Sequence, residues 1–87
     1  MMHYEEVMTT MQANCHLRHN PAGGAVQIAV FENNESVVPH VAKGYTDAPT
    51  FHQLVSDGLI TKRVADGKSI PGFDWYDLTE KGRAYRP

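Results

Sequence analysis

The chain has 87 residues and a mass of 9.7 kDa, which leaves room for one hydrophobic core and excludes a second domain. Hydrophobic residues make up 41% and charged residues 21%, as in an ordinary globular domain, and no apolar run reaches the roughly 20 residues of a membrane helix. The net charge of −2 excludes a strongly basic nucleic-acid-binding chain. We therefore expect a single cytoplasmic domain that does not bind a membrane.

Charge is distributed unevenly along the chain. Residues 1–57 carry two basic and six acidic side chains, a net charge of −4, whereas residues 58–87 carry six basic and four acidic side chains, a net charge of +2. We expect any anionic partner to contact the C-terminal third.

The first half of the chain predicts helices. Residues 3–14 carry an apolar stripe at three- and four-residue steps, which is typical of an amphipathic helix whose stripe is either core or a dimer contact: Tyr4, Val7, Met8 and Met11. Residues 16–24 are predicted to be a connection. Residues 21–33 are predicted to be a helix, although their β-branched apolar run also fits a buried strand. A short helix is predicted over 37–44, with Ser36 as its N-cap.

The segment that follows has clear helix signals. Asp47 is a typical N-cap, Pro49 suits the first turn, and Phe51, Leu54 and Val55 make an apolar stripe. The helix is expected to end at a glycine in the left-handed conformation, residue 58.

The last third predicts two strands and a final helical turn. Residues 59–64 and 73–78 are expected to pair as a hairpin across the turn residues 65–72. Alternation places Trp75 on one face of the second strand and Tyr76 and Leu78 on the other. Thr79 is expected to cap the turn that follows.

Two short sequence motifs in this region resemble the C-terminal half of winged helix-turn-helix domains of the MarR-like and PadR-like bacterial regulators. The first motif is Gly58-Leu59-Ile60 after a helix, and the second is the sequence Leu-Thr-Glu-Lys-Gly-Arg at 78–83. The resemblance implies an α+β fold, a small winged helix-turn-helix with three to four helices and a two-stranded β-hairpin wing. Its parts would be an N-terminal helix suited to dimerisation (1–20), a helical core (21–60), the wing (61–78) and a C-terminal turn (79–87).

The same resemblance implies a DNA-binding transcriptional regulator that acts as a homodimer on double-stranded DNA. The helix at 47–57 would enter the major groove, and the hairpin would contact the phosphate backbone. The expected DNA-binding residues are Thr50, His52, Gln53 and Ser56 on the helix, and Lys62, Arg63 and Lys68 on the hairpin. The alternative is a protein–protein interaction module on the same fold, which the acidic first two-thirds and the uncharged helix face favour.

No catalytic, cofactor or metal site is predicted. Cys15, His16 and His19 have a spacing that occurs in metal sites, but no second cysteine completes the set, and a polar loop is the favoured interpretation. No acid–base pair or activated nucleophile stands out, so we do not expect an enzyme. For the aromatic residues near the C-terminus, Phe73 and Trp75, core packing is favoured over stacking on bases.

Overall fold

A computed structural model describes residues 1–21, 28–33, 42–63 and 73–86. These residues form three helices and five strands, in the order α1 (Tyr4–Gln12), β1 (Cys15–His19), β2 (Ile28–Glu32), β3 (Ala42–Tyr45), α2 (Ala48–Ser56), β4 (Ile60–Lys62), β5 (Asp74–Leu78) and α3 (Glu80–Ala84). Within the described ranges, no helix is long and apolar enough to cross a membrane.

The five strands form one antiparallel sheet in the order β3-β2-β1-β5-β4. Strand β1 lies at its centre, where Leu17 is opposite Val30 of β2 and Tyr76 of β5. Because neighbouring residues of a strand point to opposite faces, Leu17 faces one side of the sheet and Arg18 the other.

The hydrophobic core lies between the helices and one face of the sheet. Helix α1 contributes Val7, Met8 and Met11, and α2 contributes Phe51 and Leu54. The sheet supplies the facing apolar side chains: Cys15, Leu17, Ile28, Val30, Ile60 and Leu78. Three residues of the α1 stripe, Val7, Met8 and Met11, are therefore core of the monomer, and Tyr4 is half-buried against that core.

The predicted winged helix-turn-helix fold is wrong, and so is the resemblance on which it rested. The described residues form a five-stranded antiparallel sheet and three short helices. Helix α2 follows strand β3 after just two residues, so the described chain contains no preceding helix with which α2 could form a helix-turn-helix pair.

Three local predictions failed for one physical reason. The predicted connection at 16–24 begins with strand β1, the described part of the predicted helix at 21–33 is strand β2, and the predicted helix at 37–44 ends inside strand β3. In each case pairing with neighbouring strands overrides the local preference of the segment. The rest of the predicted helix at 37–44 and the turn at 65–72 lie largely outside the described residues.

The other elements were predicted correctly. Helices α1 and α2 form as expected, and β4 pairs with β5. The side chain of Asp47 accepts a hydrogen bond from the Thr50 backbone N–H at 2.9 Å. Gly58 adopts a φ of 74° at the end of α2, and the Thr79 side chain caps α3. These features depend on neighbours in sequence, so the sequence pattern was sufficient to predict them.

Candidate functional site

Helix α2, the predicted DNA-reading element, presents a polar face without a cation. His52, Gln53 and Ser56 are exposed, and Thr50 is half-buried. The Gln53 amide donates a hydrogen bond to Oδ1 of Asp57 at 2.8 Å, so the group predicted to read a base is already engaged. With an aspartate at each end, the surface of α2 has the wrong charge for a phosphate backbone.

The predicted hairpin cations form ion pairs with carboxylates of the neighbouring strand. Nζ of Lys62 lies 3.3 Å from Oδ1 of Asp74, and the Arg63 guanidinium binds both oxygens of Asp77 at 2.6 Å. Lys62 is opposite Tyr76, whereas Arg63 lies over Trp75, so the two cations are on opposite faces of the sheet. Lys68 lies outside the described residues. The structure therefore does not gather the predicted residues into one cationic surface.

A different group of side chains comes together on the sheet face opposite the helices. We call it the arginine–aromatic cluster, and its members come from four strands or their ends: His16, Arg18, Phe31, Arg63, Trp75 and Asp77. The register explains this arrangement, because Arg18 is opposite Trp75, and His16 is opposite Phe31. Cross-strand partners share a face of the sheet.

Arg18 lies between two aromatic rings at the centre of this cluster. Its Cζ is 4.0 Å from the centroid of Phe31 and 4.5 Å from that of Trp75. The ring of His16 stacks on Trp75 with a centroid distance of 4.4 Å, and Cζ of Arg63 is 4.8 Å from the Trp75 centroid. Stacking and cation–π attraction together hold the Arg18 guanidinium in one place.

The hydrogen bonds of His16 define its tautomer. Nε2 accepts a hydrogen bond from Nε of Arg18 at 2.9 Å, so the proton of a neutral ring is on Nδ1, which donates to Oδ1 of Asn33. The pKa of His16 is lowered to about 4, mainly by burial and also by the nearby charge of Arg18. The hydrogen bond to Asn33 acts in the opposite direction and raises the pKa, but by less. His16 is therefore neutral at pH 7 and can act as the acceptor.

The cluster contains more hydrogen-bond donors than acceptors. Arg18 is 6% exposed and Trp75 8% exposed, and none of the described residues forms a hydrogen bond with the Trp75 Nε1. Among the described residues, the side chain of Arg18 bonds only to His16, and no carboxylate forms an ion pair with it. Burial and the nearby Arg63 lower the pKa of Arg18. Such a group is costly to bury unless an anion compensates its charge.

A cavity of about 590 Å³ lies at the end of the sheet next to the cluster. It is lined by the end of α1 and by the strands β1 and β5, and its lining includes Met11, Gln12, Asn14, Cys15, Asn33 and Asp77. Burial raises the pKa of the Cys15 thiol, which disfavours the thiolate at neutral pH. The lining offers polar contacts for binding but no activated nucleophile.

The residues with a metal-like spacing do not converge. Cys15 and His16 are neighbours in β1 and so point to opposite faces, while the ring of His19 stacks on Phe51 at 4.7 Å. In the part of the chain that the structure describes, no group of three or more potential ligands could hold a metal ion.

Sequence reasoning missed Arg18 and Phe31 as functional candidates, because both fall in segments predicted not to be strands. Comparison with known protein families, with characterised proteins and with solved structures finds nothing that matches this chain. A function is therefore assigned from the chemistry of the described side chains alone.

Proposed function

We propose that this protein binds a nucleic acid, and that the interface is the sheet face that carries the arginine–aromatic cluster rather than helix α2. The observation that carries the proposal is the position of Arg18, a buried cation between Phe31 and Trp75 with no carboxylate partner among the described residues. Sheet faces that combine arginine with aromatic rings bind nucleic acid by stacking and by phosphate contacts.

The accessible part of this face favours a single strand over a duplex. Tyr45 is 55% exposed and lies on the same face as Arg18, because both are opposite Ala29 of β2. Phe31 is half-buried. The rings of Tyr45 and Phe31 can stack on unpaired bases, whereas the bases of a duplex are already stacked on one another. Helix α2, which a groove-binding model would need, carries no cation.

Binding can be tested with a labelled oligothymidine and its duplex by fluorescence anisotropy at roughly 50 mM salt, where weak cationic contacts still contribute. We expect the single strand to bind more tightly than the duplex. Tyr45→Ala should weaken binding of the single strand roughly 5- to 150-fold, since stacking of one base on an aromatic ring contributes about 1–3 kcal/mol.

The matched control is His52→Ala, which removes an exposed ring from α2. It should leave the affinity unchanged. The proposal fails if the oligonucleotide does not bind, or if His52→Ala weakens binding while Tyr45→Ala does not.

Protein binding through α2 is a second candidate function, and a specific observation favours it. Val55 is 42% exposed on an outer face of α2 that otherwise carries neutral polar side chains. A small apolar contact of this kind, with no nearby cation, suits a protein surface better than a nucleic acid. The partner could be a second copy of the chain, in a homodimer whose contact is α2 rather than the N-terminal helix at 1–20 that was predicted to dimerise. Sedimentation equilibrium of the wild type and of Val55→Glu tests this, because only a dimer formed through α2 would dissociate in the variant.

A further inference from the structure

We infer that Arg18 and the indole N–H of Trp75 form a binding site for one phosphate-type oxyanion. The inference rests on the proposed function for the source of that oxyanion, the backbone of a single-stranded nucleic acid. Such an oxyanion would bond to donors of these two side chains for which the described residues supply no acceptor.

Donors outnumber acceptors around Arg18 and Trp75. An arginine side chain has five N–H donors and no acceptor, and a tryptophan has one donor and no acceptor. Nε of Arg18 is bonded to His16, which leaves its two terminal nitrogens for another partner. The two oxygens of Asp77 are both bonded by Arg63. The described residues therefore supply no acceptor for the terminal nitrogens of Arg18 or for Nε1 of Trp75, and an oxyanion would supply several.

The charges of the cluster also favour an anion. The arginine–aromatic cluster has two arginines and one carboxylate, and its histidine is neutral at pH 7 because the pKa of His16 is lowered to about 4. Arg18, with which no described carboxylate forms an ion pair, is also the more buried of the two, with 6% exposure. A buried charge is stabilised when a counter-ion neutralises it and completes its hydrogen bonds.

The Arg18 side chain is preorganised for binding. The Arg18 guanidinium is held by Phe31 on one side, by Trp75 on the other, and by the hydrogen bond to His16. A fixed guanidinium loses little conformational freedom when it binds an anion through two parallel hydrogen bonds. Nε1 belongs to the indole whose centroid is 4.5 Å from Cζ of Arg18, so the two sets of donors lie next to each other. Phe31 and Arg63, which both contact this pair of side chains, are half-buried.

Trp75 is the only tryptophan of the chain, so one indole resonance reports directly on the site. We would titrate the ¹⁵N-labelled protein with sodium phosphate up to roughly 50 mM, at constant ionic strength maintained with sodium chloride, and follow the indole N–H cross-peak. A saturable shift with phosphate that chloride does not reproduce is the expected result. The absence of such a shift would overturn the site.

A variant series adds a second readout. Arg18→Lys keeps the charge but loses the planar guanidinium, which can donate two parallel hydrogen bonds to one anion. The variant should therefore bind phosphate at least about tenfold more weakly. The matched control is Lys62→Ala, which removes a cation from the other face of the sheet and should leave the indole shift unchanged. Equal phosphate affinity of the wild type and a folded Arg18→Lys variant would also contradict the inference. If Arg18→Lys does not fold, the wild-type titration decides.

Titrating the same labelled protein with phosphate and with an oligothymidine distinguishes failure of the phosphate site from failure of the proposed function. If an oligothymidine binds but phosphate does not move the indole resonance, the phosphate site is wrong and nucleic-acid binding stands. If phosphate binds saturably but the oligonucleotide does not, the site stands and the proposed function fails.

Discussion

His16 is the residue on which the position of Arg18 depends. Its neutral ring accepts the hydrogen bond from Nε of Arg18 and stacks on Trp75, and Asn33 holds the opposite ring nitrogen. A protonated His16 would have no lone pair for Arg18 and would place a second positive charge beside it. The geometry of the cluster therefore requires a neutral histidine.

This requirement makes stability depend on pH. The pKa of His16 is lowered from 6.5 to about 4 on folding, so between these values the unfolded chain binds more protons than the folded chain. The stabilisation is complete above pH 6.5 and is lost as the pH falls toward 4. We expect the free energy of unfolding to decrease by roughly 2 kcal/mol from pH 7 to pH 4. This decrease is smaller than the whole pKa shift implies, because the outer edge of the arginine–aromatic cluster contacts water, which screens its charges. Urea denaturation in phosphate-free buffers measures it.

His16→Gln is the matched control, because glutamine offers an acceptor to Arg18 but does not titrate. Its stability should change less over this pH range. Folding also lowers the pKa of some aspartates, such as Asp77 beside Arg63. The titration of these aspartates changes the free energy of unfolding mainly below pH 4. A wild-type profile that is flat from pH 7 to pH 4 would contradict the role of His16.

At the scale of elements, α2, the hairpin strands and α3 are joined by one small set of contacts. The Thr79 hydroxyl donates to the Gly58 carbonyl at 2.6 Å and accepts from the Gly82 N–H at 3.0 Å, and the Thr79 N–H donates to the Leu59 carbonyl at 3.0 Å. The end of α2 and the start of α3 are thereby fixed to each other across β4 and β5. The register of the two strands follows from these contacts.

The two glycines of this junction should respond differently to substitution by alanine. Gly58 has a φ of 74° but open space where an alanine would place its Cβ, so Gly58→Ala should cost only the conformational strain, roughly 1 kcal/mol. A Cβ on Gly82 would lie 2.1 Å from the Leu59 carbonyl oxygen, so Gly82→Ala must displace β4 or α3 and should cost more, about 2–3 kcal/mol. Thermal denaturation of both variants tests the order.

Gly58→Asn provides the control for backbone conformation, since asparagine tolerates a positive φ better than alanine and should recover part of the loss. If Gly58→Ala is more destabilising than Gly82→Ala, the close contact of α3 with Leu59 is not formed as described.

At the scale of the whole molecule, the sheet separates two environments. One face is apolar and covered by the helices, and the other carries the arginine–aromatic cluster, with no described helix on it. A molecule with a net charge of −2 can contact few phosphates, because its carboxylates repel a polyanion outside one local site. Specific local contacts should therefore dominate any binding of a nucleic acid.

The salt dependence of binding should accordingly be shallow. With one phosphate contact, at Arg18, the logarithm of the association constant for a single strand should fall with the logarithm of the salt concentration with a slope of roughly −0.7. Anisotropy titrations at several salt concentrations measure the slope. A much steeper slope would indicate a broad cationic surface, contrary to the paired state of Lys62 and Arg63.

The elements predicted correctly are those whose signals lie within a few residues of each other. Asp47 and Gly58 delimit α2, Thr79 starts α3, and the apolar stripe of α1 needs only helical spacing. Each of these features depends on a local hydrogen bond, a local backbone angle or a local periodicity, which a sequence contains in full.

The sheet and the site depended on pairing between distant segments. Strand β1 contains four buried residues in succession, two of them polar, because one face meets the helices and the other meets Phe31 and Trp75. Neither the alternation nor the partners of Arg18 can be deduced from residues 15–19 alone. By itself the sequence determined the N-caps of α2 and α3, the helices α1, α2 and α3, and the pairing of β4 with β5. Tertiary structure decided the five-stranded sheet and the position of Arg18, because cross-strand neighbours, and not chain neighbours, determine which side chains share a face.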